Sequence, residues 1–214
     1  MVDILAIDGP SGSGKSTVAK RLASELGFNY LDTGATYRAF AYLAFYAADD
    51  LDDIEELLDL LDGFDLEYSD GKVYVNRKDV SEKIRSENIS QVASKIAQIK
   101  ELRSYLVRWQ QEWVEFNGSS VVEGRDTTTV VFPNARLKIF LTADDKVRSL
   151  RRSLEINKDV DSVQKNILER DSRDSNRAES PLMVATNAVV LDSTNKQIDE
   201  IVEEILKLWK SSNP

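Results

Sequence analysis

Short apolar runs alternate along this chain with longer segments whose apolar residues recur every three or four positions. A short continuous apolar run is typical of a buried strand, whereas the longer spacing is typical of a helix that packs on one face. The runs predict strands at residues 4–7, 28–31, 120–123, 137–141 and 188–191. Because helical segments separate these strands, we predict an α/β fold with a five-stranded parallel sheet and helices on both faces.

Helical spacing covers most of the chain between the strands. It predicts helices at residues 18–26, 35–47, 49–62, 99–116, 144–174 and 198–209, with further helical segments from about residue 81. Residues 64–75 instead alternate around Asp70-Gly71, which predicts an antiparallel hairpin that turns at Asp-Gly. The 214 residues therefore predict one domain, with insertions at residues 36–103 and 151–179.

A glycine-rich loop lies between the first predicted strand and the first predicted helix. The loop consists of Gly9, Pro10, Ser11, Gly12, Ser13, Gly14, Lys15, Ser16 and Thr17. It fits the pattern G-x-x-x-x-G-K-[ST], and a strand before it with a helix after it aims backbone N–H groups at a phosphate. In such a loop Lys15 reaches the β- and γ-phosphates, and the Ser16 hydroxyl is a ligand of Mg²⁺. The sequence therefore predicts binding of a nucleoside triphosphate with magnesium.

The composition narrows the chemistry further. Hydrophobic residues make up 42% of the chain and charged residues 30%, as is typical of a globular domain with its own core. No apolar run is as long as a membrane span and the first residues do not resemble a signal peptide, so we expect no membrane partner. The chain has no cysteine and no histidine, which excludes disulfides and imidazole catalysis and fits a cytoplasmic location. Nothing in the sequence requires more than a monomer.

The net charge of −9 disfavours a nucleic-acid partner, so local arginines have to bind any phosphorylated substrate. Arg38 follows the second predicted strand, Arg125 follows the third, and residues 170–177 precede the fifth. Ligands of parallel α/β sheets bind beyond the carboxyl ends of the strands, and guanidinium groups match phosphate oxygens. These arginines are candidates to bind a second anionic substrate. The alternative for each is a surface ion pair with one of the many carboxylates.

Several segments together resemble the bacterial cytidylate kinases. They are Asp8 with the glycine-rich loop, LDTGATYR at 31–38, EGRD at 123–126 with VVFPNA at 130–135, RDSRDSNR at 170–177 and LDST at 191–194. They occur in the order of that family and span nearly the whole chain. The resemblance implies the nucleoside monophosphate kinase fold, with a core sheet, a monophosphate-binding lobe and a mobile lid. It also implies phosphoryl transfer from Mg·ATP to CMP or dCMP.

The resemblance implies roles for individual residues. The catalytic residues that it implies are Lys15, Arg38, Arg125 and Arg170. The residues that it implies for the acceptor nucleotide are Thr33, Arg38, Ser94, Arg103, Arg125, Asp126, Arg170, Asp174 and Arg177. Among these, the three arginines of the catalytic set would bind the phosphate, and Asp174 with Arg170 would contact the pentose. The residues that would read the cytosine edge are Ser94, Arg103, Asp126 and Arg177.

The sequence also departs from the pattern of that family. Thr33 stands where the family often has serine, which keeps the hydroxyl group. Residues 127–129 are three threonines where the family usually has a glycine at the centre, so a Cβ is present where that backbone has none. The stretch 153–168 is short for the lid of the family, and its contacts with ATP are the least defined.

Two other functions are compatible with a phosphate-binding loop. One is a P-loop kinase for a different small acceptor, such as UMP, AMP or shikimate. The other is a nucleotide-switched binding module such as a small GTPase, which needs Asn-Lys-x-Asp to read guanine. Residues 195–198 read Asn-Lys-Gln-Ile and follow the last predicted strand, which disfavours the GTPase.

Overall fold

The structure is a computed structural model that describes residues 2–69 and 71–212, in two compact units: Met1–Tyr30 with Trp113–Pro214, and Leu31–Glu112. The strands are β1 (Ile4–Asp8), β2 (Asn29–Asp32), β3 (Leu66–Ser69), β4 (Lys72–Val75), β5 (Lys78–Asp79), β6 (Ser120–Gly124), β7 (Leu137–Thr142) and β8 (Val189–Asp192). The helices are α1 (Lys15–Leu26), α2 (Thr33–Ala47), α3 (Ile54–Asp59), α4 (Glu87–Ile96), α5 (Lys100–Asn117), α6 (Asp145–Ile156), α7 (Val160–Ser175) and α8 (Ile198–Ser211). None of the described helices is long and apolar enough to cross a membrane.

The main sheet has five strands in the order β2-β6-β1-β7-β8. β1 is central and pairs in parallel with β6 and β7, in a register that aligns Ile7 with Glu123 on one side and Ile139 on the other. β7 pairs in parallel with β8. All five residues of β6 are buried, which is why this strand reads as a continuous run and not as an alternating pattern. The predicted five-stranded parallel sheet and α/β class are confirmed.

The core of the first unit forms between the sheet and the helices α1 and α8. Leu5 of β1, Leu22 of α1 and Ile205 of α8 are fully buried members of this core. Burial of one such side chain stabilises a fold by about 1.5–3 kcal/mol, so these periodic positions fix both helices on the sheet. The ring of Trp209 in α8 meets that of Phe28 edge to face, with 5.5 Å between centroids.

The second unit packs α2 against α4 beside a three-stranded antiparallel sheet in the order β3-β4-β5. Phe40 of α2 is fully buried and meets Phe64 edge to face, with 5.1 Å between ring centroids. The predicted hairpin is present, with Leu66 opposite Val75. Asp70, the first residue of its predicted turn, lies outside the described residues. The two-residue strand β5 carries too short a pattern to be predicted.

Two predicted helices are shorter than their apolar spacing indicates. Only Ile54–Asp59 is α-helical within 49–62, followed by a 3-10 turn, because Asp53 caps the helix by accepting from the N–H of Glu55. The side chains of Asp residues bond nearby N–H groups and compete with helix formation. The predicted helix 144–174 is two helices, α6 and α7, which separate at Asn157 because its backbone is left-handed, with φ of 51°.

Candidate active site

The glycine-rich loop connects β1 to α1 and packs closely on its surroundings. Gly9 has φ of 149°, and a Cβ on it would lie 2.0 Å from the carbonyl oxygen of Leu141. A Cβ on Gly12 would lie 2.7 Å from the carbonyl oxygen of Arg148. Gly14 caps α1 with φ of 91°, a left-handed conformation that glycine adopts without strain. These three glycines are therefore required by the shape of the loop, which is that of a phosphate-binding loop.

The residue that follows β8, Ser193, binds the backbone of the loop and is itself bound by Arg151 of α6. The Ser193 hydroxyl donates to the carbonyl oxygen of Ser13 over 3.0 Å. Arg151 donates through Nη1 to Ser193 Oγ over 2.9 Å and through Nη2 to the Ser193 carbonyl over 2.7 Å. Because Ser193 is the residue that follows the last strand of the sheet, the sheet itself fixes the position of the loop.

Lys15 is folded back over the loop that contains it. Its Nζ donates to the carbonyl oxygen of Pro10 over 2.8 Å, and the side chain is buried. Burial, with a smaller contribution from the positive charge of Arg125, lowers the pKa of Lys15 from 10.5 to about 7. A phosphate group that reached this lysine would replace the carbonyl as its partner and stabilise the ammonium form.

An arginine cluster surrounds Asp174 in the same unit. Arg125, the residue after β6, donates from Nε to Asp174 Oδ2 over 2.9 Å, and Arg177 Nη2 lies 3.1 Å from Oδ1. Burial raises the pKa of Asp174, but the charges of Arg125, Arg170 and Arg177 outweigh it and keep the pKa below its ordinary value. Arg125 and Arg170 also act electrostatically on Lys15. The structure thus brings together five of the predicted residues of the first unit.

The segment after Asp126 is bound to the strand that precedes the phosphate loop. Asp8, fully buried at the end of β1, accepts from the N–H of Thr127 over 2.9 Å and from that of Thr128 over 2.7 Å. The Thr128 hydroxyl donates to the same carboxylate over 2.6 Å. The threonine at the centre of residues 127–129 therefore supplies an additional donor to Asp8. One feature of the sequence indicates this role, namely a carboxylate at the end of an otherwise apolar strand.

In the second unit, Thr33 and Arg38 lie on the first turns of α2. Asp32 caps this helix, accepting from the N–H of Ala35 over 3.0 Å, and also accepts from Arg38 Nη2 over 2.6 Å. Burial raises the pKa of Asp32, but Arg38 outweighs it and the pKa lies below its ordinary value. A Cβ on Gly34 would lie 2.9 Å from Arg38 Nη1, so glycine leaves room for the guanidinium.

Ser94 and Arg103 are buried on α4 and α5 of the second unit. Arg103 donates from Nη1 to the carbonyl of Ala97 over 3.2 Å, and its guanidinium carbon lies 5.5 Å from the ring centroid of Tyr37. Ser94 Oγ is buried and has no hydrogen-bond partner in the part of the chain that the structure describes. A buried hydroxyl without a partner is uncommon and has a free-energy cost, which makes it a candidate ligand contact.

The fold and the site together define a P-loop protein of the kinase type, in which a parallel sheet carries a lysine-containing phosphate loop and an arginine cluster. The family model "Cytidylate kinase" matches residues 5–211 of the chain. The cytidylate kinase of Alkaliphilus oremlandii is 41% identical, covering 96% of this chain and 97% of that protein. The cytidylate kinase of Thermotoga maritima is 43% identical, covering 95% of each. The chain belongs to the cytidylate kinase family.

Solved structures support the fold alone. A sugar kinase from a Janibacter species superposes with a TM-score of 0.51 at 16% sequence identity, covering 100% of this chain and 97% of that one. At this identity the similarity supports the α/β fold and carries no information on the acceptor. The family and the residues of the site are what indicate the acceptor.

Proposed function

We propose that this enzyme transfers the γ-phosphoryl group of ATP to CMP or dCMP, which yields ADP and CDP or dCDP. As a member of the cytidylate kinase family it is a phosphotransferase, with ATP as phosphate donor and nucleotides as substrates. The observation that carries the proposal is the cluster of Lys15 with Arg125 and Arg170. Phosphoryl transfer is accelerated chiefly by positioning and by positive charge around the transferred group, and this cluster would supply the positive charge.

On the donor side, residues 9–17 would bind the triphosphate of ATP through backbone N–H groups. The close packing of Gly9 and Gly12 supports this role, because side chains there would displace the backbone of the loop. Lys15 would exchange the Pro10 carbonyl for the β- and γ-phosphates. This exchange replaces a neutral hydrogen-bond acceptor by a charged one. Because Lys15 is buried, the electrostatic attraction between its ammonium group and a phosphate would be stronger there than in water.

Magnesium fits the residues that this site offers. The Ser16 hydroxyl is exposed in the first turn of α1, the position of the metal ligand in such loops. No group of three acidic, histidine or cysteine side chains suited to a metal occurs among the described residues. Mg²⁺ usually takes few protein ligands and completes its shell with phosphate oxygens and water. When bound it would neutralise negative charge that develops on the phosphates.

The acceptor phosphate would be bound by Arg38, Arg125 and Arg170. Because Asp174 already occupies Nε of Arg125, the orientation of this guanidinium is set before the acceptor arrives. Asp32 does the same for Arg38 in the second unit. Guanidinium groups that are fixed in advance lose little conformational freedom when they bind a phosphate, which favours both affinity and in-line geometry.

The cytosine edge would be read by Ser94, Arg103, Asp126 and Arg177. Asp174 with Arg170 would contact the pentose, and the Thr33 hydroxyl would lie in the same acceptor site. The buried, unpartnered Oγ of Ser94 supports this proposal. A polar site of this kind discriminates strongly, because the wrong base leaves buried groups without partners.

The absence of histidine and cysteine does not impede this reaction, since phosphoryl transfer needs positioning more than a strong base. We further propose that residues 36–103 form the monophosphate-binding lobe and residues 151–179 a lid. Closure of the lid would exclude water and suppress hydrolysis of ATP.

The net charge of −9 supports a protein without a nucleic-acid partner. A cytoplasmic monomer without a membrane partner completes the proposal.

A coupled assay of ADP release tests the function directly, with ATP and Mg²⁺ and, in parallel, CMP, dCMP, UMP, AMP, shikimate or no acceptor. We expect CMP and dCMP to exceed every other acceptor by roughly tenfold or more. Equal rates with CMP and UMP would contradict the cytosine-reading residues. GTP-selective binding without transfer to any acceptor would support a nucleotide switch instead.

A further inference from the structure

The carboxylate of Asp171 lies directly on the phosphate loop. Asp171 belongs to α7, and its Oδ1 accepts a hydrogen bond from the backbone N–H of Ser11 over 3.0 Å. Its side chain is only 14% exposed. Ser11 is the third residue of the loop, and none of the substrate contacts proposed above uses Asp171. A largely enclosed carboxylate on a loop proposed to bind phosphates is an unexpected neighbour and calls for a role.

Arg148 joins the same two residues from the other side. Its Nη1 donates to the carbonyl oxygen of Ser11 over 2.7 Å and also to Asp171 Oδ2. The remaining N–H groups donate to the Ala143 carbonyl over 3.2 Å and to Asp145 over 2.6 Å. Both the N–H and the carbonyl of Ser11 are thus bound by one carboxylate–guanidinium pair, a charge-assisted arrangement with fixed geometry.

The helix that carries Asp171 also carries Asp174. The two residues are three positions apart, so their side chains lie on neighbouring parts of one helix face. Asp174 accepts from Arg125 Nε, and Asp171 accepts from the loop. A displacement of α7 along the loop would therefore move the partner of Arg125 as well. The bond between Asp171 and Ser11 is the point at which the phosphate loop and α7 are joined.

We propose that Asp171 is a positioning residue, which fixes Ser11 against α7 and keeps the phosphate loop and the Asp174–Arg125 pair in one arrangement. The proposal extends the function proposed above and rests on it for the acceptor side. Asp171 contacts neither substrate in this role. It acts through the peptide of Ser11, so what matters is an acceptor oxygen at this point in space. An ion pair with Arg148 that only stabilised the fold would need the negative charge and not the placement of the oxygen.

Three variants separate these roles. Asp171→Ala removes the acceptor, Asp171→Asn keeps an oxygen for the Ser11 N–H without the charge, and Asp171→Glu keeps the charge but displaces it by one methylene. The control is Glu169→Ala, which removes an exposed carboxylate from the same helix. Calorimetric titration with ATP, without an acceptor, gives the Kd, and thermal melting reports the fold. Steady-state assays then give the KM for CMP and kcat.

We expect Asp171→Ala and Asp171→Glu to weaken ATP binding roughly fivefold or more and to raise the KM for CMP. The reason is that a displaced phosphate loop and a displaced Asp174–Arg125 pair each bind their substrate less well. At pH 6, where Lys15 depends less on the carboxylate of Asp171 for its positive charge, Asp171→Asn should return the Kd for ATP to within about twofold of the wild type, as should Glu169→Ala. Wild-type affinity in Asp171→Glu, or an Asn variant as weak as the Glu variant, would overturn the proposal even if the Ala variant does not fold. A wild type that binds ATP but does not phosphorylate CMP would contradict the acceptor, not the role of Asp171.

Discussion

The phosphate loop and the region around Ser94 hold their candidate residues in opposite ways. Near the loop, the charged groups are already paired with protein atoms, Lys15 with the Pro10 carbonyl and Arg125 with Asp174. In the second unit, by contrast, the buried Oγ of Ser94 has no hydrogen-bond partner within residues 2–69 and 71–212. Lys15 and Arg125 thus have protein partners before a ligand binds, whereas Ser94 has a polar group that a ligand could pair with.

This difference predicts different consequences of substitution. A paired group fixes geometry and has to exchange its partner on binding, so its removal alters the charges that remain as well as the affinity. An unpartnered buried hydroxyl already costs roughly 1–3 kcal/mol, so its removal should leave stability intact and affect binding alone. Stability and kinetics measured on the same variants can therefore test the comparison.

The largest effect is expected at the loop itself. Lys15→Ala removes the only ammonium group of the phosphate loop, and kcat/KM should fall roughly a thousandfold or more because the charge acts on the transferring phosphate. The coupled ADP-release assay measures the loss. Lys20→Ala, an exposed position on the same helix, serves as the control and should retain normal activity. Activity of Lys15→Ala within tenfold of the control would contradict the proposed role of the loop.

Arg125→Ala tests the paired arrangement on the acceptor side. We expect kcat/KM for CMP to fall about tenfold or more, through KM, kcat or both. The change also leaves the carboxylate of Asp174 buried with one partner fewer, so the free energy of unfolding should fall by roughly 3 kcal/mol. Denaturant titration measures this, and exposed Arg108→Ala is the control. Near-normal activity of purified Arg125→Ala would remove this residue from the site.

The lowered pKa of Lys15 gives a prediction about protons. Above pH 7 the free enzyme holds this lysine mostly neutral, because burial and Arg125 favour the uncharged amine, with a smaller effect of Arg170 in the same direction. Glu123 and Asp171 oppose this shift. Bound ATP phosphates would stabilise the ammonium form and raise the pKa of Lys15 from about 7. Binding of ATP at pH 8 should therefore take up about one proton, and affinity should fall by up to about tenfold per pH unit above pH 7.

Calorimetric titration in two buffers with different ionisation enthalpies measures this uptake. The sign of the proton uptake follows from the direction of the shift. Because the pKa of Lys15 is lowered in the free enzyme, Lys15 gains a proton when ATP binds, and the affinity for ATP falls as the pH rises. The matched control is Lys15→Met, which keeps a long side chain but cannot titrate. Equal proton uptake by the wild type and by this variant would assign the effect to another group.

The main sheet could be predicted from the sequence because buried parallel strands are continuous apolar runs that local spacing reveals. The run at residues 4–7 became β1, one residue longer. The start of the helix predicted at residues 49–62 was wrong. Asp53 accepts hydrogen bonds from backbone N–H groups of α3, so the helix begins only after this residue. Side-chain bonds of this kind follow from local geometry that apolar periodicity does not report.

The phosphate loop could also be predicted, because close packing of its backbone requires glycine at fixed spacing. The network around it could not. Asp8 accepts a hydrogen bond from Thr127, which lies 119 positions away in the sequence, and Asp171 accepts one from Ser11, which lies 160 positions away. Contacts of this kind depend on which elements the fold brings together, and a carboxylate in the sequence does not indicate its distant partner. The sequence therefore predicted candidate groups for substrate contact, but it did not predict the network that positions them.

The smallest effect is expected at Ser94, and it is also the sharpest test of the comparison. Ser94→Ala removes a hydroxyl without a protein partner in the described structure, so the free energy of unfolding should stay within about 0.5 kcal/mol or rise. The KM for CMP should nevertheless rise roughly three- to tenfold, since one hydrogen bond to the base is lost. Ser104→Ala on the exposed side of α5 is the matched control. An unchanged KM would show that Ser94 does not contact the acceptor, and a loss of stability above about 1 kcal/mol would show that its hydroxyl supports the fold. Either result would contradict the contrast between the two regions.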